Sequence, residues 1–121
     1  IITYGATVWK SLEAADQLEK EDGLSVEVLD LRTLLPMDDA AIMRTVQKTN
    51  KVLIVHEDTI TAGFGAEIAA VVAREAFWHL DAPVDRLAVA DVPMPYHPVL
   101  LDAVLPDADR IAARIEGLLT T

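Results

Sequence analysis

The chain has no cysteine. That excludes a disulfide scaffold, a thiolate zinc site and a cysteine nucleophile, and it permits an intracellular setting. Basic side chains are scarce: 10 Lys and Arg stand against 20 Asp and Glu, a formal net charge of −10 at pH 7. No nucleic-acid partner is expected from that balance. An acidic surface suits a basic protein partner, or simply solubility. Long apolar runs are also missing. Stretches such as Ile68–Ala73 fall far short of the roughly 20 residues a membrane span needs, so no membrane partner is expected. There is neither an initiator Met nor a basic n-region of a signal peptide. The opening, Ile1-Ile2-Thr3-Tyr4-Gly5, lies inside what reads as a strand. The expectation is one domain over residues 1–121, truncated at its N-terminus and part of a longer polypeptide.

What is present is enough for a core. Hydrophobic residues make up 52% and charged residues 25% of 121 residues, which excludes a disordered tail. A domain of this size removes roughly two-thirds of its unfolded surface from water. Ile1–Tyr4 reads as a strand closed by Gly5. A helix over Thr7–Glu21 follows, with Val8, Leu12, Ala15 and Leu18 at inward spacing. Asp16 and Lys20 stand four apart on its wet side, and Asp22-Gly23 stops it. Val26–Leu31 is the second strand, and Arg32–Pro36 a loop. Asp38 caps a helix over Ala40–Lys48, with Ile42, Met43 and Val46 inward. Lys51–Glu57 is a strand whose Val52–Val55 run is apolar throughout, as a strand covered on both faces requires. A glycine loop, Thr59–Gly65, leads to a helix over Ala66–Leu80. Val84–Ala90 is the fourth strand, Asp91–Pro98 an extended proline-dense segment, and Asp107 caps a last helix carrying Ile111, Ile115, Leu118 and Leu119 on one face. Strand and helix alternate without internal repeat, which predicts an α/β fold with a parallel sheet in the spatial order second-first-third-fourth.

The topological switch then falls between the first and third strands, where open α/β sheets hold ligands. Thr7, His56 and Glu57 are the candidates there. Thr7 opens a helix whose N-terminus could take an anion, and His56 with Glu57 could shuttle a proton. Against this, neighbouring strand residues face opposite sides, and a histidine ending a strand commonly bonds an adjacent loop. The glycine loop lacks both G-x-G-x-x-G and a Walker lysine. Its glycines suit a tight turn, with Phe64 as an anchor in this domain or a neighbour. His56, His79 and His97 lack metal-ligand spacing, and no metal site is expected. Glu13, Asp16 and Glu19 read as a solvated face. Asp30 and Arg32 read as a structural clamp. The Asp91–Pro98 segment, stiff and apolar with Met94 and Tyr96, suits a subunit contact as well as local packing.

Three stretches in order carry a resemblance: DLRTLLPMD (Asp30–Asp38), VLIVHEDTITAGFGAEIAA (Val52–Ala70) and DVPMPYHP (Asp91–Pro98), with ITYGATV at the opening and LDAPVDR over Leu80–Arg86. As a set they resemble the C-terminal domain of the β subunit of thiamine-diphosphate-dependent 2-oxo acid dehydrogenases, the decarboxylating components of the pyruvate and branched-chain (2-oxoisovalerate) complexes. The resemblance spans essentially the whole chain. Many members have Gly where this chain has Ala62.

The resemblance implies a transketolase C-terminal-like fold: three layers, α/β/α, around a mostly parallel sheet, with an antiparallel edge strand supplied by a lead-in before Ile1. It implies that thiamine diphosphate and magnesium sit between two other domains of the parent enzyme, so that this domain holds no cofactor and no catalytic residue. The diphosphate-binding G-D-G…N signature is absent. The implied role is assembly and partner docking. The partners are a sister β subunit, an α subunit or α region, and the acyltransferase (dihydrolipoyl) core through its small basic subunit-binding domain. Phe64, Met94, Pro95 and Tyr96 are the candidates for subunit contact, and Asp85 and Asp91 for the acyltransferase. The parent reaction would be oxidative decarboxylation of a 2-oxo acid with acyl transfer to lipoamide, in the cytoplasm, or the mitochondrial matrix of a eukaryote. The isolated domain should be inactive. Two alternatives stand: a free-standing flavodoxin-like module binding a small anion at the switch point, and the C-terminal domain of a transketolase or deoxyxylulose-phosphate synthase.

Overall fold

The computed structural model describes residues 1–121. Its elements, in chain order, are β1 (Ile2–Thr3), α1 (Thr7–Asp22), β2 (Leu29–Asp30), α2 (Asp39–Thr49), β3 (Leu53–Thr59), α3 (Phe64–Glu75), β4 (Asp85–Val89), α4 (Pro98–Val104) and α5 (Ala108–Leu119). All strand pairs are parallel, and the order is β2-β1-β3-β4, as the alternation of elements predicts.

The layers follow from side-chain parity along the strands. Ile1, Leu53 and Val55 point to one face, where Ala14 and Leu18 of α1 and Ala108, Ile111, Ala112, Ile115 and Leu118 of α5 close over them. Ile2, Val52 and Ile54 point to the other, under Ile42 and Val46 of α2 and Ile68 and Val72 of α3. Each face carries its own buried cluster, so the sheet is covered on both sides. That explains the unbroken apolar run of Val52–Val55.

The helix ends follow local chemistry. Asp38 accepts the Ala41 N–H at 2.9 Å and Asp107 the Arg110 N–H at 2.8 Å, the two caps expected. Gly23 ends α1 at φ +67°, its N–H returning to the Glu19 carbonyl and the Leu24 N–H to the Leu18 carbonyl. Asp16 and Lys20 pair at 2.6 Å on the exposed side of α1.

Several expectations need correction. The face α1 buries is Thr7, Ser11, Ala14 and Leu18, one residue round from the apolar stripe, and Leu12 is exposed. Small hydroxyl residues let this helix lie close to the sheet. The Thr7 hydroxyl finds the Tyr4 and Val55 carbonyls at 2.9 and 3.3 Å, while the Ser11 hydroxyl has no partner. The second strand is two residues long rather than six, because its only neighbour, β1, is itself two residues long. On α2, Thr45 joins Ile42 and Val46 inside, and Met43 is half-buried. The helix α3 starts at Phe64 and stops at Glu75, and Phe77–His79 form a separate 3-10 turn. Leu119 is exposed at the end of α5. Unanticipated was α4, which starts with Pro98 in its first turn and uses the His97 ring nitrogen as acceptor for the Val99 N–H at 3.2 Å. No helix is long and apolar enough to cross a membrane.

Candidate functional site

The carboxyl ends of β1 and β3 meet at the switch point, and an aromatic cluster forms there. Tyr4 stacks on the His56 ring with centroids 5.9 Å apart and planes 8° from parallel. Phe64 meets Tyr4 edge-on at 6.1 Å and 83°. Their even strand positions put Tyr4 and His56 on the α2/α3 side, so α3 with its leading Phe64 closes over them. His56 is fully buried and Glu57 is exposed on the opposite side of the strand. The two do not share a pocket. Thr7 is also buried, its hydroxyl already held by Thr3, Tyr4 and Val55.

His56 is built into the glycine loop. Its Nε2 lies 3.1 Å from the Gly65 N–H, and its Nδ1 lies 3.1 Å from the Asp58 N–H. The glycines make this approach possible. A Cβ on Gly65 would stand 2.0 Å from His56 Nε2, and one on Gly63 would stand 2.0 Å from the Thr59 carbonyl oxygen and 3.0 Å from the imidazole. Burial pulls the His56 pKa below its ordinary 6.5; Asp58 works against that shift and Arg86 with it. Burial, then the nearby Asp58 carboxylate, raises the Tyr4 phenol. The rest of the loop is pinned from β4: Arg86 donates to the Ile60 carbonyl at 2.7 Å, and Asp91 accepts from both the hydroxyl and the N–H of Thr61. Those two bonds hold the Asp91 carboxyl below its ordinary 3.8, the hydroxyl contributing more.

Beyond Asp91 the chain runs uncovered. Val92, Met94 and Tyr96 are exposed, Pro95 is half-buried, and α4, which presents Val99 and Leu100, has no buried residue. Of the contact candidates, Met94, Pro95 and Tyr96 therefore lie together on one segment, whereas Phe64 is half-buried in the aromatic cluster. Asp85 lies at the start of β4, at the other end of that strand from Asp91, and is held by Arg114 of α5 at 2.9 Å. Asp30 and Arg32 do form a local clamp, the Arg32 N–H donating to Asp30 at 3.1 Å. His79 is exposed in the 3-10 turn and its carbonyl accepts from Asn50 at 2.7 Å. Sequence reasoning passed over Tyr4 and α4. A lone aromatic at a strand end gives no sign of its partners, but the VLLDAV run between Pro98 and Pro106 was a readable helix signal.

The transketolase C-terminal domain family matches residues 1–111. The chain belongs to that family. As a transketolase C-terminal domain it is 43% identical over 119 residues to the 2-oxoisovalerate dehydrogenase subunit beta of Bacillus subtilis, a match covering 98% of this chain and 36% of that one. It is 45% identical over 121 residues to the mitochondrial pyruvate dehydrogenase E1 component subunit beta of Saccharomyces cerevisiae, covering 99% of this chain and 33% of the relative. A solved structure, a split gene transketolase described as an inactive beta4 tetramer, superposes with a TM-score of 0.82 at 28% identity, over 98% of this chain and 37% of that one. The chain thus spans about a third of the length of the curated relatives it matches.

No group of three or more His, Asp or Glu side chains converges where a cation could sit, and the concavity of the glycine loop is filled by the His56 ring.

Proposed function

We propose that this domain is the assembly and partner-docking part of the β subunit of a 2-oxo acid dehydrogenase's decarboxylating component. The parent enzyme would decarboxylate a 2-oxo acid with thiamine diphosphate held by other domains, and pass the acyl group to lipoamide on the acyltransferase core. The observation that carries this reading is the uncovered segment from Val92 to Val104. It is an apolar strap and helix with no buried residue in α4, fused to a domain whose two cores are already closed. Exposed apolar surface of that kind marks a contact, and prolines lower the entropy lost when it docks. The identity to dehydrogenase β subunits, higher than that to the transketolase structure, favours the dehydrogenase group. A sister β subunit and an α subunit are the partners proposed for Met94, Pro95 and Tyr96, with Phe64 bracing the loop beneath.

For the basic docking domain of an acyltransferase, Asp85 and Asp91 remain the proposed contacts, each on different terms. A basic side chain would compete with Arg114 for Asp85 and with Thr61 for Asp91. Such docking would weaken with salt.

The test uses the full-length β chain containing these residues, mixed with its α partner. Tyr96→Asp and Val99→Asp together are expected to lower assembly at least tenfold in sedimentation, with circular dichroism unchanged. Unchanged assembly would remove the reading, as would decarboxylation of a 2-oxo acid by the 121-residue chain alone with thiamine diphosphate and magnesium.

A further inference from the structure

His56 is the one buried imidazole, and neither the assembly reading nor any site above uses it. Both of its ring nitrogens face backbone N–H groups, those of Asp58 and Gly65, each at 3.1 Å. A neutral imidazole has one lone pair to offer and one N–H. The Gly65 contact is buried, whereas the Asp58 contact is only part-buried. The lone pair therefore belongs at Nε2, facing Gly65, and the ring N–H at Nδ1, on the less buried Asp58 side. A second proton on the ring would leave Gly65 with an N–H aimed at an N–H across 3.1 Å.

We propose that His56 is an acid-sensitive latch on the loop from Thr59 to Gly65. The neutral ring holds the loop shut, and its protonation releases the loop locally while the two cores stay folded. The groups around the ring set the balance. Asp58, on the same strand, favours the protonated ring, and Arg86 of β4 opposes it. The Tyr4 phenol of β1 stacks on one side of it. From α3, Glu67 is turned into the groove between α2 and α3, which Asp39 of α2 also lines. Asp38 of α2 is occupied in capping its own helix. Burial weights the whole toward the neutral form at pH 7.

The latch does not depend on Phe64 meeting any partner. Arg86 on Ile60 and Asp91 on Thr61 keep the middle of the loop tied to β4, and the Asp58 carboxylate accepts the Phe64 N–H at 3.3 Å, so release is confined to the Gly65 amide and its neighbours. The chain closes a core on each side of its sheet, and it can be studied as it stands. The experiment is amide exchange by NMR on the labelled chain at pH 7.5 and 5.0, with rates corrected to protection factors and the His56 ring protons followed in parallel. Protection of the Gly65 amide is expected to fall at least tenfold as the ring protonates, while Ile54 and Ile68 keep theirs. In His56→Gln, whose side-chain oxygen accepts a bond but takes no proton in this range, the pH dependence at Gly65 should vanish. If that variant does not fold, the parent chain alone decides. Flat Gly65 protection over this range would overturn the latch, and so would a loss shared by Ile54 and Ile68.

Discussion

A single guanidinium nitrogen of Arg114, in the middle of α5, reaches both carboxylate oxygens of Asp85 at the start of β4, at 2.9 and 3.2 Å. The pair ties the last helix to the edge strand, and Asp85 also accepts the Arg86 N–H at 2.8 Å. Both side chains are part-exposed, so water and salt screen the attraction. Arg114→Ala should therefore lower unfolding free energy by less than about 1 kcal/mol in urea denaturation, with the difference shrinking in 0.5 M salt, about five times the ionic strength at which screening already acts over ~10 Å. A loss above about 2 kcal/mol would mean that the pair is a structural pin rather than a surface contact.

Ala62 sits at φ +60°, in the left-handed region. A side chain there costs about 1–2 kcal/mol in backbone strain, partly offset because alanine restricts the unfolded chain more than glycine does, by about 0.4–1 kcal/mol. Ala62→Gly should thus stabilise the domain by up to about 1 kcal/mol, seen as a higher denaturation midpoint with unchanged slope. No gain would show that the loop relieves the strain elsewhere.

Gly65 and His56 compete for the same volume. Gly65→Ala would place its Cβ 2.0 Å from His56 Nε2 and 2.4 Å from Cδ2. The ring must move, and the buried amide loses its acceptor. A destabilisation of about 2 kcal/mol or more is expected. In a double-mutant cycle with His56→Ala, the two changes should couple by at least about 1 kcal/mol, since removing the ring frees the space. Additive effects would place the clash somewhere other than the imidazole.

Glu27 responds to acid in its own way. The Lys48 ammonium and the Thr45 hydroxyl donate to its carboxylate and hold it below its ordinary 4.5, the lysine bond contributing most. The unfolded chain therefore takes up a proton at a higher pH than the folded one. The stability this group contributes is complete above about pH 4.5 and is lost as pH falls through the depressed folded value. His56 acts in a separate window: its lowered pKa gives stability complete above 6.5 and declining below it. In pH-dependent denaturation, Glu27→Gln should flatten the slope below pH 4.5 and leave the decline that starts at 6.5 in place. Loss of both slopes would mean that the two groups titrate together.

Much of the architecture was legible because it depends on burial on both sides of a sheet. The Val52–Val55 run and the aspartate caps at Asp38 and Asp107 follow from patterns within a few residues, and the strand order from the alternation of strand and helix along the chain. The face of α1 was not legible. Periodicity scores Leu12 above Ser11, whereas the sheet accepts Ser11 and Thr7 because small side chains allow a close approach. The candidate site was legible in outline only. The glycine loop and His56 stood out, yet their union depends on Tyr4, His56 and Phe64 meeting from three separate elements. That is a long-range packing event no local pattern encodes. The open strap was legible as stiff and apolar, but only three dimensions show that nothing in this chain covers it.

Strand β3 sorts its side chains by odd and even position: Leu53 and Val55 to one core, Ile54 to the other, with His56 beside it against Tyr4. Counting is thus as constrained as chemistry there. Dropping one residue between Lys51 and Leu53 would leave composition almost untouched, yet it would turn the imidazole toward α1 and α5, where no glycine has made room, and strand the Gly65 amide without an acceptor. A deletion that looks silent in a hydropathy profile would be as damaging as a charged substitution.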